Sequence, residues 1–265
     1  MLEVRTPAVA NLFYPRDKDI LENTIKTYLA KAPLYSYKPE GLISPHAGYM
    51  YSGIVAAVSY KQLLNLDLEK HHTFLLIGPS HHVYLQGISF GYYDFWQTPL
   101  GMVKVAKEKI AEFVKSKPNF PLTLNTLPHR KEHSLEVQVP FLQVIAKNFD
   151  IIPVVYGDIE SDYIKEIIEF FKDEKTVVII SSDLSHYYPD KVAREIDSYC
   201  HLAVEKLDER FLQYCEACGK TGIEAMIKYA KEKGLKSKVL EYKTSGDTGG
   251  DYSSVVGYAS YIFYK

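Results

Sequence analysis

The chain has 265 residues, 46% of them hydrophobic, with 31 basic against 33 acidic side chains and a formal net charge of −2. That length suits one domain with a sizeable core across residues 1–265. No basic block points to nucleic acid, the longest apolar runs (Val177 to Ile180 among them) are too short to span a bilayer, and Met1-Leu2-Glu3-Val4-Arg5 lacks the form of a signal peptide, so a soluble cytoplasmic protein is expected.

In chain order, Asp19 to Lys31 carries apolar residues at helical spacing (Ile20, Leu21, Ile25, Tyr28, Leu29). Gly41 to Ser44 is a short strand that runs into His46. Gly53 to Leu64 reads as a helix with small residues on one face. Thr73 to Gly78 is a buried strand that runs into His81. Gly87 to Tyr93 is a further strand, Thr98 to Gly101 a turn, and Lys107 to Lys115 an amphipathic helix. Ser134 to Lys147 is helical by period, with Pro140 inside to kink or break it. Asp150 to Val155 is a strand, Asp162 to Phe171 a helix, and Thr176 to Ser181 a buried strand leading to Asp183 and His186. Three helices follow, at Lys191 to Leu207, Arg210 to Cys218 and Gly222 to Lys233. Two strands, Ser237 to Thr244 and Ser254 to Phe263, close the chain around the loop Ser245 to Asp251.

Strands alternating with helices predict an α/β fold: a single domain with a central mixed, largely parallel sheet flanked by helices. The last two strands, joined without a helix, predict an antiparallel pair. Such a sheet can send the loops after Ile43, Ile77, Ile180 and Thr244 to one edge, where ligands bind in open α/β sheets.

Histidines gather in those loops. His46 and His81 each follow a proline within two residues, directly after a strand, and a stiff loop holds a metal ligand in place. His82 adjoins His81, and neighbours in an extended segment face opposite ways, so one of the two is the candidate ligand. Asp183 and His186, three apart, can face one cavity as metal ligand, base or orienting pair; Asp183 reads equally well as a cap. His133 and Glu136 share an i, i+3 face, which suits a carboxylate steering an imidazole or an acidic first helical turn. Asp247 follows a strand and could complete a two-histidine, one-carboxylate metal site; turn chemistry is the alternative. A phosphate loop ending at Gly219-Lys220-Thr221 would need its earlier glycine at Tyr214, and no strand precedes it. Cys215 and Cys218 have Cys-x-x-Cys spacing but follow a helical stretch, and all three cysteines, Cys200 included, read as buried or unpaired thiols. The 22 tyrosines read as packing residues.

Together Pro45-His46-Ala47-Gly48-Tyr49, Gly78-Pro79-Ser80-His81-His82, Glu132-His133-Ser134-Leu135-Glu136 and Ser181-Ser182-Asp183-Leu184-Ser185-His186 resemble the signature segments of the MEMO family, in order. Arg5-Thr6-Pro7, Phe13-Tyr14-Pro15, Thr244-Ser245-Gly246-Asp247 and Val256-Gly257-Tyr258-Ala259 extend the resemblance over nearly the whole chain. It implies a LigB-like fold, similar to class III extradiol dioxygenases that hold Fe(II) with two histidines and a glutamate. It also implies a metal site of His46, His81 and, at the position of a eukaryotic cysteine, Asp247. Family members are associated with iron or copper, and prokaryotic ones are often encoded beside AMMECR1-like and radical SAM proteins. A hard aspartate in place of a thiolate leans toward iron. Two departures stand out: no cysteine falls at the family's cysteine position, and Ala8-Val9-Ala10-Asn11 lacks the small Ala-Gly pair seen before Phe-Tyr-Pro.

The expected function is a mononuclear non-haem metal protein, redox or oxygen-activating, with Asp183, His186, His133 and Glu136 as acid/base and pocket residues. A binding module for a small-molecule or peptide ligand is the rival. A metal-independent hydrolase using His133 or His186 ranks last, because no nucleophile elbow is present.

Overall fold

The computed structural model describes residues 2–265. Twelve strands form one mixed sheet. They are β1 (Val4–Arg5), β2 (Pro39–Ser44), β3 (His72–Pro79), β4 (Ile88–Phe90), β5 (Phe95–Thr98), β6 (Gly101–Val105), β7 (Leu122–Thr123), β8 (Phe149–Tyr156), β9 (Thr176–Ser181), β10 (His186–Tyr188), β11 (Lys236–Thr244) and β12 (Val255–Tyr264). The helices are α1 (Lys18–Lys31), α2 (Tyr49–Lys61), α3 (Lys107–Ser116), α4 (Leu127–Arg130), α5 (Val139–Ile145), α6 (Ser161–Phe171), α7 (Asp190–Glu205), α8 (Lys220–Glu232) and α9 (Ser245–Gly249).

The centre of the sheet runs β8-β3-β9-β2, all parallel. These strands are near-continuous apolar runs, and every residue of β3 and β9 is buried. Burial on both faces is what a parallel strand covered by helices requires. α2 packs on β2 and β12, and α8 on β3 and β9. β12 then pairs antiparallel with both β2 and β11, the second pairing as expected for the two closing strands.

Several expectations change in detail. The run Ser134 to Lys147 is not one helix: a 3-10 turn at Glu136–Gln138 leads into α5, with Pro140 in its first turn, where a missing N–H costs nothing. The stretch Arg210 to Cys218 is a 3-10 helix over Glu209–Tyr214 followed by irregular chain. The glycine-rich segment after β11 forms the short helix α9. The cysteine reading is corrected as well. Cys200 and Cys215 form a disulfide, and Cys218 alone is a free thiol.

Candidate metal centre

In register, Ser44 lies beside Ser181 and Ile77 beside Ile180, so β2, β9 and β3 end together at one sheet edge. The loops carrying His46, His81 and Asp183 leave from that edge. Cys218 arrives there from the irregular chain before α8. Gly219 makes this approach possible: a Cβ on it would lie 2.5 Å from the Ser182 side chain and 2.6 Å from the Ser181 carbonyl oxygen. Its N–H donates to Ser182 Oγ at 2.9 Å, and the Cys218 N–H to the Asp183 carbonyl at 3.3 Å.

His46, His81 and Cys218 each offer one donor atom, and the three atoms lie within 4.8 Å of one another. Hydrogen bonding settles which ring nitrogens are open. Ser181 Oγ donates to the Ser134 carbonyl at 2.5 Å, so it must accept from His46 Nδ1 at 2.8 Å. Glu132 Oε1 accepts from His81 Nδ1 at 2.8 Å. Both imidazoles therefore carry their proton on Nδ1 and present the Nε2 lone pair. Cys218 Sγ stands 3.2 Å from His46 Nε2, and the rings of His46 and His81 meet edge to face at 76°. These spans suit donors about 2.0–2.3 Å from a shared ion, so the residues fit a metal.

A second group, His81, Glu132 and His133, also lies within 4.8 Å. There the rings of His81 and His133 are stacked at 25°. Glu132 already serves as acceptor for His81 Nδ1 and lies 3.5 Å from His133 Nδ1. This second group is an orienting network around the first.

The electrostatics follow from burial. His46 is pushed well below the ordinary histidine value by burial and then by the neighbouring His81, and burial holds His133 at about 4. His186 is also lowered by burial. Burial raises Glu132, but the His81 hydrogen bond and the Ser134 N–H outweigh it and hold the carboxyl at about 2. Asp183 is raised by burial to about 7. Cys218 is pushed up to about 12, by burial first and then by Asp183. A neutral, half-buried thiol is no free nucleophile; a nearby cation would make it a thiolate.

The comparisons with known proteins agree on one family. The family model described as Memo-like protein matches residues 5–262. The chain belongs to the Memo-like family. A MEMO1 family protein of Aquifex aeolicus is 37% identical to it, covering 99% of this chain and 100% of its own length. Others from Archaeoglobus fulgidus and Methanocaldococcus jannaschii are 36% and 38% identical, each over at least 98% of both chains.

In this Memo-like chain His46 and His81 meet as the sequence predicts, and Asp183 joins them: its Oδ1 accepts the His46 main-chain N–H at 2.8 Å and its Oδ2 lies 3.9 Å from His46 Nε2. His133 stacks on His81 and packs against Phe13, whose ring centroid is 4.7 Å away. His186, half-buried in β10, is close enough to His46 for their charges to interact.

Two predicted residues are placed elsewhere. Asp247 is not in the donor group. Its side chain caps α9 by accepting the Thr244 N–H at 2.8 Å, and it forms a bidentate pair with Arg194. Burial raises its pKa, but those two partners outweigh burial and hold it below the usual carboxylate value. Glu136 does not steer His133. It accepts from Arg5 Nη1 at 2.7 Å, the N–H groups of Ala8 and Val9, and the Tyr14 hydroxyl. With those four donors it clamps the N-terminal segment over the sheet edge.

Sequence reasoning passed over Cys218 and Glu132. The signal for Glu132 was its position beside His133 in a histidine-rich segment. For Cys218 it was the Cys-Gly step directly before a helix. A cavity of about 520 Å³ lined by Val9, Leu12, Phe13, His82, Arg130 and His133 opens beside the cluster.

Proposed function

We propose that this Memo-like protein binds one redox-active first-row metal ion through His46 Nε2, His81 Nε2 and Cys218 Sγ, and acts as a metal-dependent oxidoreductase on a small-molecule substrate. The observation that carries this reading is the donor trio within 4.8 Å, with both histidines held in the tautomer that opens Nε2. With a thiolate in the set instead of Asp247, the hard-ligand argument for iron falls away, and iron(II) and copper both suit the donors.

A metal bound there supplies one-electron or oxygen chemistry and lowers the thiol pKa. The chain's own residues do the rest. Glu132 and Ser181 orient the ligating rings. Asp183, at about 7, holds or releases a proton at its carboxyl near working pH. His186, kept neutral by burial, stands as a base on the same side. The neighbouring cavity offers an apolar wall of Val9, Leu12 and Phe13 for a substrate.

Elemental analysis of anaerobically purified protein, beside His81→Ala and Cys218→Ala, tests the reading. Near-stoichiometric iron or copper that both variants lose is the expected result. Full metal in either variant, or none in the parent after reconstitution, overturns it.

A second reading is a binding protein for a peptide or protein partner that retains the pocket without turnover. It is favoured by Leu12 and Met50, which stand 79% and 72% exposed on adjoining cavity walls. Changing Asp183 or His186 separates the two: an enzyme loses turnover with metal still bound, and a binding protein keeps its partner.

A further inference from the structure

Cys218 reaches the histidines from a short irregular segment, and that segment is tied to the fold immediately upstream. Cys215 is bonded to Cys200, fifteen residues earlier in sequence and inside α7. Both are buried. Only Glu216 and Ala217 lie between the bond and Cys218. The Cys215 N–H donates to the Leu212 carbonyl at 3.2 Å and the Lys220 N–H to the Ala217 carbonyl at 3.2 Å, while the Cys218 N–H reaches the Asp183 carbonyl at 3.3 Å; none of these reaches α7. Lys220 Nζ donates to the Cys215 carbonyl at 3.2 Å, and the Tyr188 hydroxyl to Glu216 Oε1 at 2.7 Å on the exposed side. The disulfide is thus the strongest tie holding this segment against α7.

We propose that the Cys200–Cys215 disulfide is a positioning brace for Cys218, so that the hold on a metal at His46, His81 and Cys218 depends on the oxidation state of a bond outside the ligand set. The inference rests on the metal reading above. A ligating sulfur must be held within about 0.5 Å of its working place, and a segment free to shift does not hold it. Reduction by a dithiol breaks the S–S bond: two electrons and two protons give the Cys200 and Cys215 thiols, and the dithiol becomes a disulfide. The segment then loses its tie to α7. Disulfides persist mainly in oxidising compartments or in hyperthermophiles, which makes the state of this bond a real variable for the site.

The test uses the full-length protein, with Co(II) alone as probe under anaerobic conditions. Charge transfer from thiolate to Co(II) reports whether Cys218 ligates, independently of any turnover. Cys200→Ala/Cys215→Ala removes the brace and adds no thiol. The expected result is Co(II) still bound by the histidines, about tenfold weaker, with a diminished charge-transfer band. Parent protein reduced with dithiothreitol and desalted gives the same shift, with three free thiols counted in place of one. If the double variant does not fold, the reduced parent, its fold checked by circular dichroism, decides. Unchanged affinity and band after loss of the bond overturn the brace. An oxidised parent that binds no Co(II) overturns the metal reading itself, a result told apart by that one sample.

Discussion

Glu132 holds His81 twice: Oε1 accepts the ring Nδ1–H at 2.8 Å, and Oε2 accepts the main-chain N–H of the same residue at 2.5 Å. One buried carboxylate therefore sets the tautomer, the ring orientation and the local backbone of the proposed metal ligand His81. Glu132→Ala should weaken metal binding by about 10–100-fold. Competition with a chromophoric chelator measures this, and parent-like affinity in the variant would refute the role given to Glu132.

Cys218 and Asp247 make opposite predictions. Cys218→Ser should lose most of the bound metal. Asp247→Ala should keep the metal and lose about 1 kcal/mol of stability through the missing α9 cap. Metal content and urea unfolding of the two variants, run together, check both halves.

In the metal-free protein Asp183 should make stability fall as pH rises from about 4 to about 7. Unfolded, it releases its proton near its ordinary value of about 3.9; folded, it keeps the proton to about 7. Across that window the folded state binds more protons, so rising pH favours unfolding, at a slope on the order of 1.4 kcal/mol per pH unit. Glu132 works oppositely and in a lower window: its contribution is present above about pH 4 and is lost as pH falls toward its folded value of about 2. Urea unfolding of chelated parent and Asp183→Asn across pH 4 to 7 isolates the first effect, and identical slopes in the two would contradict it.

Arg5 and Glu136 are a buried pair, 2% and 1% exposed. Removing the cation alone leaves a buried charge unpaired, so Arg5→Ala should cost about 3–5 kcal/mol. Arg5→Met with Glu136→Leu should cost less than the single change. Chemical denaturation of the three proteins decides it.

The central strands were legible because parallel strands buried on both faces leave uninterrupted apolar runs, and His46 and His81 were legible because they directly follow two of them. The short strands β1, β5, β6 and β7 were not, since two to five residues carry too little periodicity and take their pairing from distant partners. Cys218 was hidden for a related reason. It comes from irregular chain, and the close packing of Gly219 on Ser182, far away in sequence, helps bring it to the edge. Asp247 follows a strand at the same edge, but Arg194 and the α9 cap claim its carboxylate first. Glu136 had the spacing to serve His133, and the N-terminal segment, invisible to local spacing, took it instead.

His46 and Cys218 stand 172 residues apart in the chain, yet their donor atoms are 3.2 Å apart. During synthesis the first histidine must therefore wait until about four-fifths of the polypeptide has emerged before its sulfur partner exists. No early fragment can assemble the trio, and a nascent chain has no means of capturing its ion ahead of completion. On the proposed metal reading, loading would then be a final act of maturation, and the ion would inspect the finished sheet: a misregistered or truncated product would be left unmetallated and, lacking that ligand's stabilisation, would be the more readily cleared.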